Sequence, residues 1–247
     1  MIKPYTLIVI LLFTATFCNN RALAQDKIAD STQLRQTTVN MAAMFNKAVV
    51  EQSGLYNGPA FIPYSFRSAT NANFHDTTGF ANGNVNYDGI VYKNVPLIYN
   101  INRDMVVSRL YNGFSIYTLI SDKVSDFDLF NHHFIMLYPD SLNSKMDAGF
   151  YDELYHNKLQ VLARRTKEIQ RESISTGTGT SFYELTDYFL KKGGKYYNVN
   201  SQGKFFDVLK DKKKELKQYI KDNKIRYKDN PEHVMAALAA YYDHLTN

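Results

Sequence analysis

From residue 85 to residue 138 the chain alternates short runs of Val, Ile, Leu, Phe and Tyr with breaks of turn-forming residues. Runs this short, joined this tightly, admit little besides an antiparallel meander. The clearest break is Asp88-Gly89, between 85–87 and 90–92. A two-residue hairpin turn needs positive φ at both central positions, which Gly adopts freely and Asp tolerates. The runs 95–101, 105–110, 114–120, 124–130 and 134–138 follow, parted by Lys93-Asn94, Asn102-Arg103-Asp104, Asn112-Gly113, Ser121-Asp122-Lys123 and Asn131-His132. Segments 95–99 and 114–120 are apolar on both faces and are expected at the centre of the sheet. Phe127 and Leu129 alternate with Asp126 and Asp128, so that strand has one wet face. Tyr87, Tyr92 and Tyr99 fall where strands form, and Tyr is a favoured strand residue. They read as sheet structure rather than as a binding surface.

The flanking segments extend the pattern. Residues 55–84 are irregular and predict a short strand or two between loops, and 139–149 predicts a longer loop. Residues 150–156 and 158–167 form a hairpin across Asn157, and 182–190 and 195–199 another across Gly193-Gly194. The polar, Gly/Thr-rich stretch 168–181 between them reads as a mobile loop. Residues 26–53 predict a helix that packs on the sheet, with Leu34, Met41, Phe45, Ala48 and Val49 on one face. Near the end, Ser201 is placed to cap a helix over 202–224, burying Phe205, Leu209, Leu216 and Ile220. Asn230 with Pro231 starts a last helix to about residue 245, with Val234, Leu238 and Tyr241 or Tyr242 facing inward. The expected fold is one α+β domain over 25–247. A curved antiparallel β-meander, sheet or half-barrel, spans 56–200, with an N-terminal helix and two C-terminal helices.

The first 24 residues carry a leader pattern. Lys3 precedes an apolar run over 6–17, and Ala22-Leu23-Ala24 places small residues at the outer positions of a cleavage site. The run is too short to cross a bilayer as a helix, which takes about 20 apolar residues. The expectation is an exported chain, periplasmic or extracellular, that begins at Gln25. Cys18 offers a lipoprotein alternative, against which stands the bulky Phe17 before it. Cleavage at Ala24 removes the single cysteine, and with it any disulfide, thiol nucleophile or cysteine-based metal site. Lys3 and Arg21 leave with the leader, so 27 basic residues face 24 acidic ones and the net charge falls from +5 to +3. So small an excess on an exported chain argues against nucleic acid as a partner. No segment of the mature chain is long and apolar enough to span a membrane.

No constellation in the sequence carries a reaction. His132-His133 are adjacent, and strand neighbours point to opposite faces, so the two are not placed to share one metal. His75 and His156 lie elsewhere, and HExxH spacing is missing. Asp152-Glu153 supplies at most half of a glycosidase carboxylate pair, and acids on a hairpin are most often solvated. Gly177-Thr178-Gly179 lacks the Lys and the strand–loop–helix setting of a phosphate loop. No G-x-S-x-G elbow is present. Residues 210–215, KDKKKE, mix acids with bases and read as a solvated helix face. The residues therefore assign no catalytic residue, no cofactor and no metal. Tyr and Phe total 35 while Trp is absent, which weakens a sugar-stacking reading. A half-open sheet is instead suited to an apolar ligand between its inner face and a helix.

Five stretches carry a family resemblance: LYNG (55–58), GNVNYDGIVYKNVPLIYN (83–100), FNHHFIML, GFYDELYHNKLQVLARRTK and the ending from YFLKKGGKYYNV to KDNPE. They resemble an uncharacterised exported protein family common in the Bacteroidota, over about residues 30–245. The resemblance implies export and a shared fold, and neither an activity nor site residues. Exported proteins of such bacteria are O-glycosylated at Asp-Ser/Thr followed by an aliphatic residue or Thr. Asp30-Ser31-Thr32, Asp76-Thr77-Thr78 and Asp140-Ser141-Leu142 match that form, which implies Ser31, Thr77 and Ser141 as modification sites. The expected function is a non-enzymatic cell-envelope or secreted binding protein for a small ligand, apolar or lipid-like. A protein-interaction component of an envelope complex is the alternative, and a hydrolase the third reading.

Overall fold

The computed structural model describes residues 35–38, 40, 41, 44, 54–110, 113–138, 146–174 and 177–246, with the backbone alone for 172–174, 177 and 178. The chain divides into two units, Met1–Val49 and Val50–Asn247. In the first, residues 35–38, 40, 41 and 44 are helical, and Met41, expected on a buried side, is exposed. The ends of the expected helix and its packing lie outside the described residues, as does the leader.

The second unit is built on one ten-stranded antiparallel sheet. Its strands are β1 (Ala81–Tyr87), β2 (Ile90–Asn100), β3 (Met105–Arg109), β4 (Ile116–Thr118), β5 (Val124–Leu129), β6 (His132–Leu137), β7 (Gly149–His156), β8 (Gln160–Ile174), β9 (Gly177–Lys192) and β10 (Lys195–Asn198). Their order is β10-β9-β8-β7-β6-β5-β1-β2-β3-β4. Two meanders are thus joined where β5 pairs with β1. The Asp88-Gly89 turn has the left-handed backbone its residues predict, with φ of 54° and 79°.

The sheet curls strongly but stays open, with β4 and β10 at its edges. The ring of Tyr99 on β2 lies 5.8 Å from that of Phe150 on β7. Four strand steps separate β2 from β7, about 19 Å on a flat sheet at about 4.8 Å per step. Only a curl brings the rings together. Phe127 and Phe134 fill the space between them, stacked at 4.8 Å, and all four rings are at most 1% exposed. Further round, the β2–β3 turn reaches β8. Lys167 N donates to Ile101 O at 3.2 Å, and Arg164 pairs with Asp104 at 2.8 Å.

Over β8 and β9 the same concave face is covered by α1 (Gln202–Val208), α2 (Lys213–Asp222) and α3 (Pro231–Leu245). Val161 and Leu190, paired across the two strands, pack with Phe205, Leu209, Leu216, Val234 and Leu238. Ser201 and Asn230 cap their helices as expected, accepting from Lys204 N and His233 N. Among the described residues no helix is long and apolar enough to cross a membrane.

Several local expectations are corrected. The stretch 168–181 is not a loop: it continues β8 and β9, paired in register to Ile174↔Gly177. The pair runs on beyond the sheet, so neither face needs an apolar row, and the sequence shows none. β4 is an edge strand rather than a central one. Its edge is covered by the preceding loop, with Phe61 N on Ile116 O and Thr118 N on Pro59 O, while Phe114 and Ile116 are exposed. The runs 90–92 and 95–101 are one strand rather than two: β2 continues through Lys93-Asn94, with Asn94 at φ 56°. Within the irregular segment 55–84, residues 81–84 open β1, while 55–80 form 3-10 turns and isolated bridges rather than a further strand. The helix expected over 202–224 is broken at Leu209 by a 3-10 turn, Lys210–Lys212.

Candidate functional site

On β1 every second residue from 82 to 86 is Asn, and Asn is depleted in strands. The pleat turns Asn82, Asn84 and Asn86 to the convex face, opposite the buried Val85 and Tyr87. The register sets Asn84 beside Asp128 on β5 and Asp128 beside His133 on β6. Asn84 Nδ2 donates to Asp128 Oδ2 at 3.1 Å, and His133 Nδ1 meets Asp128 Oδ1 at 2.7 Å. One row further, Asn86 Nδ2 donates to Asp126 Oδ2 at 3.0 Å. Burial works against the Asp128 charge, but the hydrogen bonds from His133 and Asn84 outweigh it and lower the pKa. The carboxylate is therefore ionised at neutral pH.

This row borders a groove of about 760 Å³. Gly83 forms its floor, where a Cβ would lie 2.3 Å from Asp128 O, so no other residue fits without moving the β5 backbone. Its walls include Asn82, Asn94 and the β5–β6 turn. Both turn residues, Phe130 and Asn131, are left-handed at φ 53° and 62°. The turn sets Phe130 against the ring of His75, stacked at 5.2 Å. Among the described residues that line the groove there is no Lys or Arg.

His132 also lines the groove but belongs to a second network beneath it. Its Nδ1 lies 2.7 Å from Asp152 Oδ2. Arg165 holds the same oxygen from Nε at 2.9 Å and Nη2 at 2.5 Å, and bridges to Glu232 on α3 at 2.9 Å. Burial disfavours the Arg165 charge, yet Glu232 and Asp152 together raise its pKa. Phe74 covers Arg165 at 5.4 Å and meets the His132 ring edge-on at 5.0 Å. His75 follows, its ring 5.5 Å from that of His132. Burial, then the neighbouring His132 and Arg165, lower the His75 pKa. Lys167, 2% exposed, donates to Asn71 O, Asn73 O and Asp76 Oδ1 at 3.1, 2.8 and 2.6 Å. It thereby fixes the loop that carries Phe74 and His75.

His132 and His133 do diverge, one to Asp152 and the other to Asp128. Among the described residues no three His, Cys, Asp or Glu side chains are grouped to hold a metal. Asp152 is not solvated: it is 2% exposed against Arg165, because the helix-covered face buries its hairpin. Glu153 pairs with His156 at 3.0 Å and accepts from Gln160. Gly177 and Gly179 lie within β9, with no helix following. In the run 210–215, Asp211 is tied to Lys192 and Tyr242, each at 2.7 Å, so the face is only partly free. Thr77 Oγ1 donates to Gly79 O at 3.0 Å within a turn, while Ser31 and Ser141 lie outside the described residues. Asn82, Asn84 and Asp128 went unassigned in the sequence, although N-x-N-x-N at 82–86 and D-x-D at 126–128 were visible signals that the β1–β5 register brings together. Comparison with protein-family models, curated proteins and solved structures found no match.

Proposed function

We propose that this chain is an exported, non-enzymatic binding protein whose ligand is polar and sits in the convex groove beside β1, β5 and β6. One observation carries the reading: Asn84, Asp128 and His133 are locked into a row before any ligand arrives. Groups already oriented lose little freedom on binding. The concave face supports an apolar ligand less well, because the rings of Tyr99, Phe127, Phe134 and Phe150 fill the curl. The leader pattern over residues 1–24 supports export. Native mass spectrometry of the protein from envelope extract tests the pair of statements. The expected result is a chain starting at Gln25, with an added mass that leaves on denaturation and is absent from Asp128→Ala. A bare mass in the unaltered protein sinks the ligand reading, and an intact leader in a cytoplasmic fraction sinks export.

A hydrolase is the second reading, favoured by His132 alone. With Nδ1 held by a buried carboxylate, the ring keeps Nε2 for proton transfer, and the residue lines the groove. Turnover of any ester or glycoside by the purified protein, lost in His132→Gln, would establish it.

A further inference from the structure

The geometry points to a neutral, polyhydroxylated ligand, a carbohydrate, in the convex groove. The inference rests on that groove being the ligand site. Charge narrows the class first. The chain carries a net +5, yet among the described residues that line the groove there is no Lys or Arg. An anionic ligand would meet the ionised Asp128 without a guanidinium or ammonium to offset it. A cationic ligand would meet a single carboxylate, whose charge the hydrogen bonds from Asn84 and His133 already partly offset.

Hydrogen-bonding capacity narrows it further. An amide side chain offers two N–H donors and an acceptor oxygen. Asn82, Asn94 and Asn131 are exposed on the groove wall, and their side-chain amides make no hydrogen bond among the described residues, although the Asn94 backbone N–H donates to Asn84 Oδ1. Asp128 retains lone pairs and Asn84 a second N–H. Donors and acceptors therefore alternate over one small surface. A hydroxyl both donates and accepts, so a polyol satisfies such a surface in many orientations, whereas a purely accepting or purely donating ligand leaves half of it unmet. Phe130, half-buried and backed by His75, adds an apolar wall of the kind the C–H face of a sugar ring requires. The volume is within the range of small-molecule sites, about 300–1,000 Å³. An extended peptide finds little edge to pair with: β5 is paired with β1 and β6, and β1 is paired with β2 along its length and with β5 over 84–87, which leaves only the three residues 81–83 open on one side.

The test uses protein purified from cells that express the full chain. It is applied to immobilised neutral oligosaccharides (gluco-, manno-, xylo- and N-acetylglucosamine oligomers), with oligogalacturonate and hexapeptides as the charged and peptide controls. Hits are quantified by calorimetry for the unaltered protein, Asn82→Ala and Asp128→Asn. The Asn82 side chain is exposed and makes no hydrogen bond among the described residues, and alanine keeps the backbone pairing with Pro96, so its loss leaves the fold intact. The expected result is binding of at least one neutral series, weakened about tenfold or more by each substitution. Retention of oligogalacturonate or peptide in its place, weakened by the same substitutions, overturns the carbohydrate class and leaves the groove standing. Neutral sugar binding indifferent to both substitutions overturns the groove itself. Retention of no probe, while the envelope-derived mass persists, overturns the carbohydrate class alone.

Discussion

Over β1, β2, β5 and β6 the concave face is covered by the sheet's own curl, whereas over β8 and β9 it is covered by helices. The two regions fill their cores with different side chains. The curl is packed by rings, Tyr99, Phe127, Phe134 and Phe150. The helix-covered end relies on Val161, Leu190, Leu216, Val234, Leu238 and Ala239, with fewer rings. A sheet that folds onto itself leaves a gap too wide for Leu, so it needs side chains long enough to meet across it. A helix brings its own short side chains to within reach. The two cores meet at Arg165, whose charge is matched by Asp152 on one side and Glu232 on the other.

That contrast can be broken in order of expected effect. Phe127→Ala should cost about 3–5 kcal/mol in urea unfolding, because a ring lost from the curl has no neighbour free to collapse into its place. A loss below about 1 kcal/mol would mean that the curl is not a packed core. Arg165→Met should cost a similar amount, about 3–5 kcal/mol, by leaving the buried Asp152 with His132 as its remaining partner and Glu232 without its cation. Adding Asp152→Leu should restore much of it, since an apolar pair of similar volume is often as stable. If the double variant is as weak as the single, the junction holds the cores in register by more than charge. Leu238→Ala, in the helix-covered core, should cost about 2–5 kcal/mol and fall toward the lower end, because a helix can shift inward.

A smaller effect is expected with pH. His75 has a lowered pKa in the fold, so below its ordinary 6.5 the unfolded chain takes up a proton that the folded chain resists. Stability present above pH 6.5 should be lost as pH falls toward the lowered value, and His75→Phe should flatten that part of the melting curve. An unchanged slope would place the acid sensitivity elsewhere. Asn82→Ala should change stability least, within about 0.5 kcal/mol, while removing a ligand contact.

What the sequence made legible was mostly local. Asp88-Gly89 predicts its turn because two residues determine it, and Ser201 and Asn230 predict their caps for the same reason. The β7–β8 hairpin was equally plain. The curl was only partly visible, since no residue pair in the sequence announces that β2 will face β7. Arg164-Arg165 illustrates the limit: two adjacent arginines point to opposite faces, one to Asp104 and the other to Asp152. Their partners lie 60 and 13 residues away, and only the fold selects them. The polar row on β1 was different. Its alternation was present in the sequence, but the strand is legible only from Val85, because Asn82 and Asn84 flank a glycine and fall in an Asn- and Gly-rich stretch that reads as loop.

The β5–β1 pairing orders events during synthesis. Asn84 waits for Asp128, 44 residues downstream, and Asp104 waits for Arg164, 60 residues downstream. Until those segments leave the ribosome, the first four strands have one unpaired inner edge, and Tyr99 lacks Phe127, Phe134 and Phe150 to pack against. Contacts so distant make collapse slow. Such a nascent chain is both vulnerable to association through that edge and easily kept extended by a chaperone. Late closure therefore suits the proposed export, because a polypeptide that has not yet rolled up can still be threaded through a narrow channel.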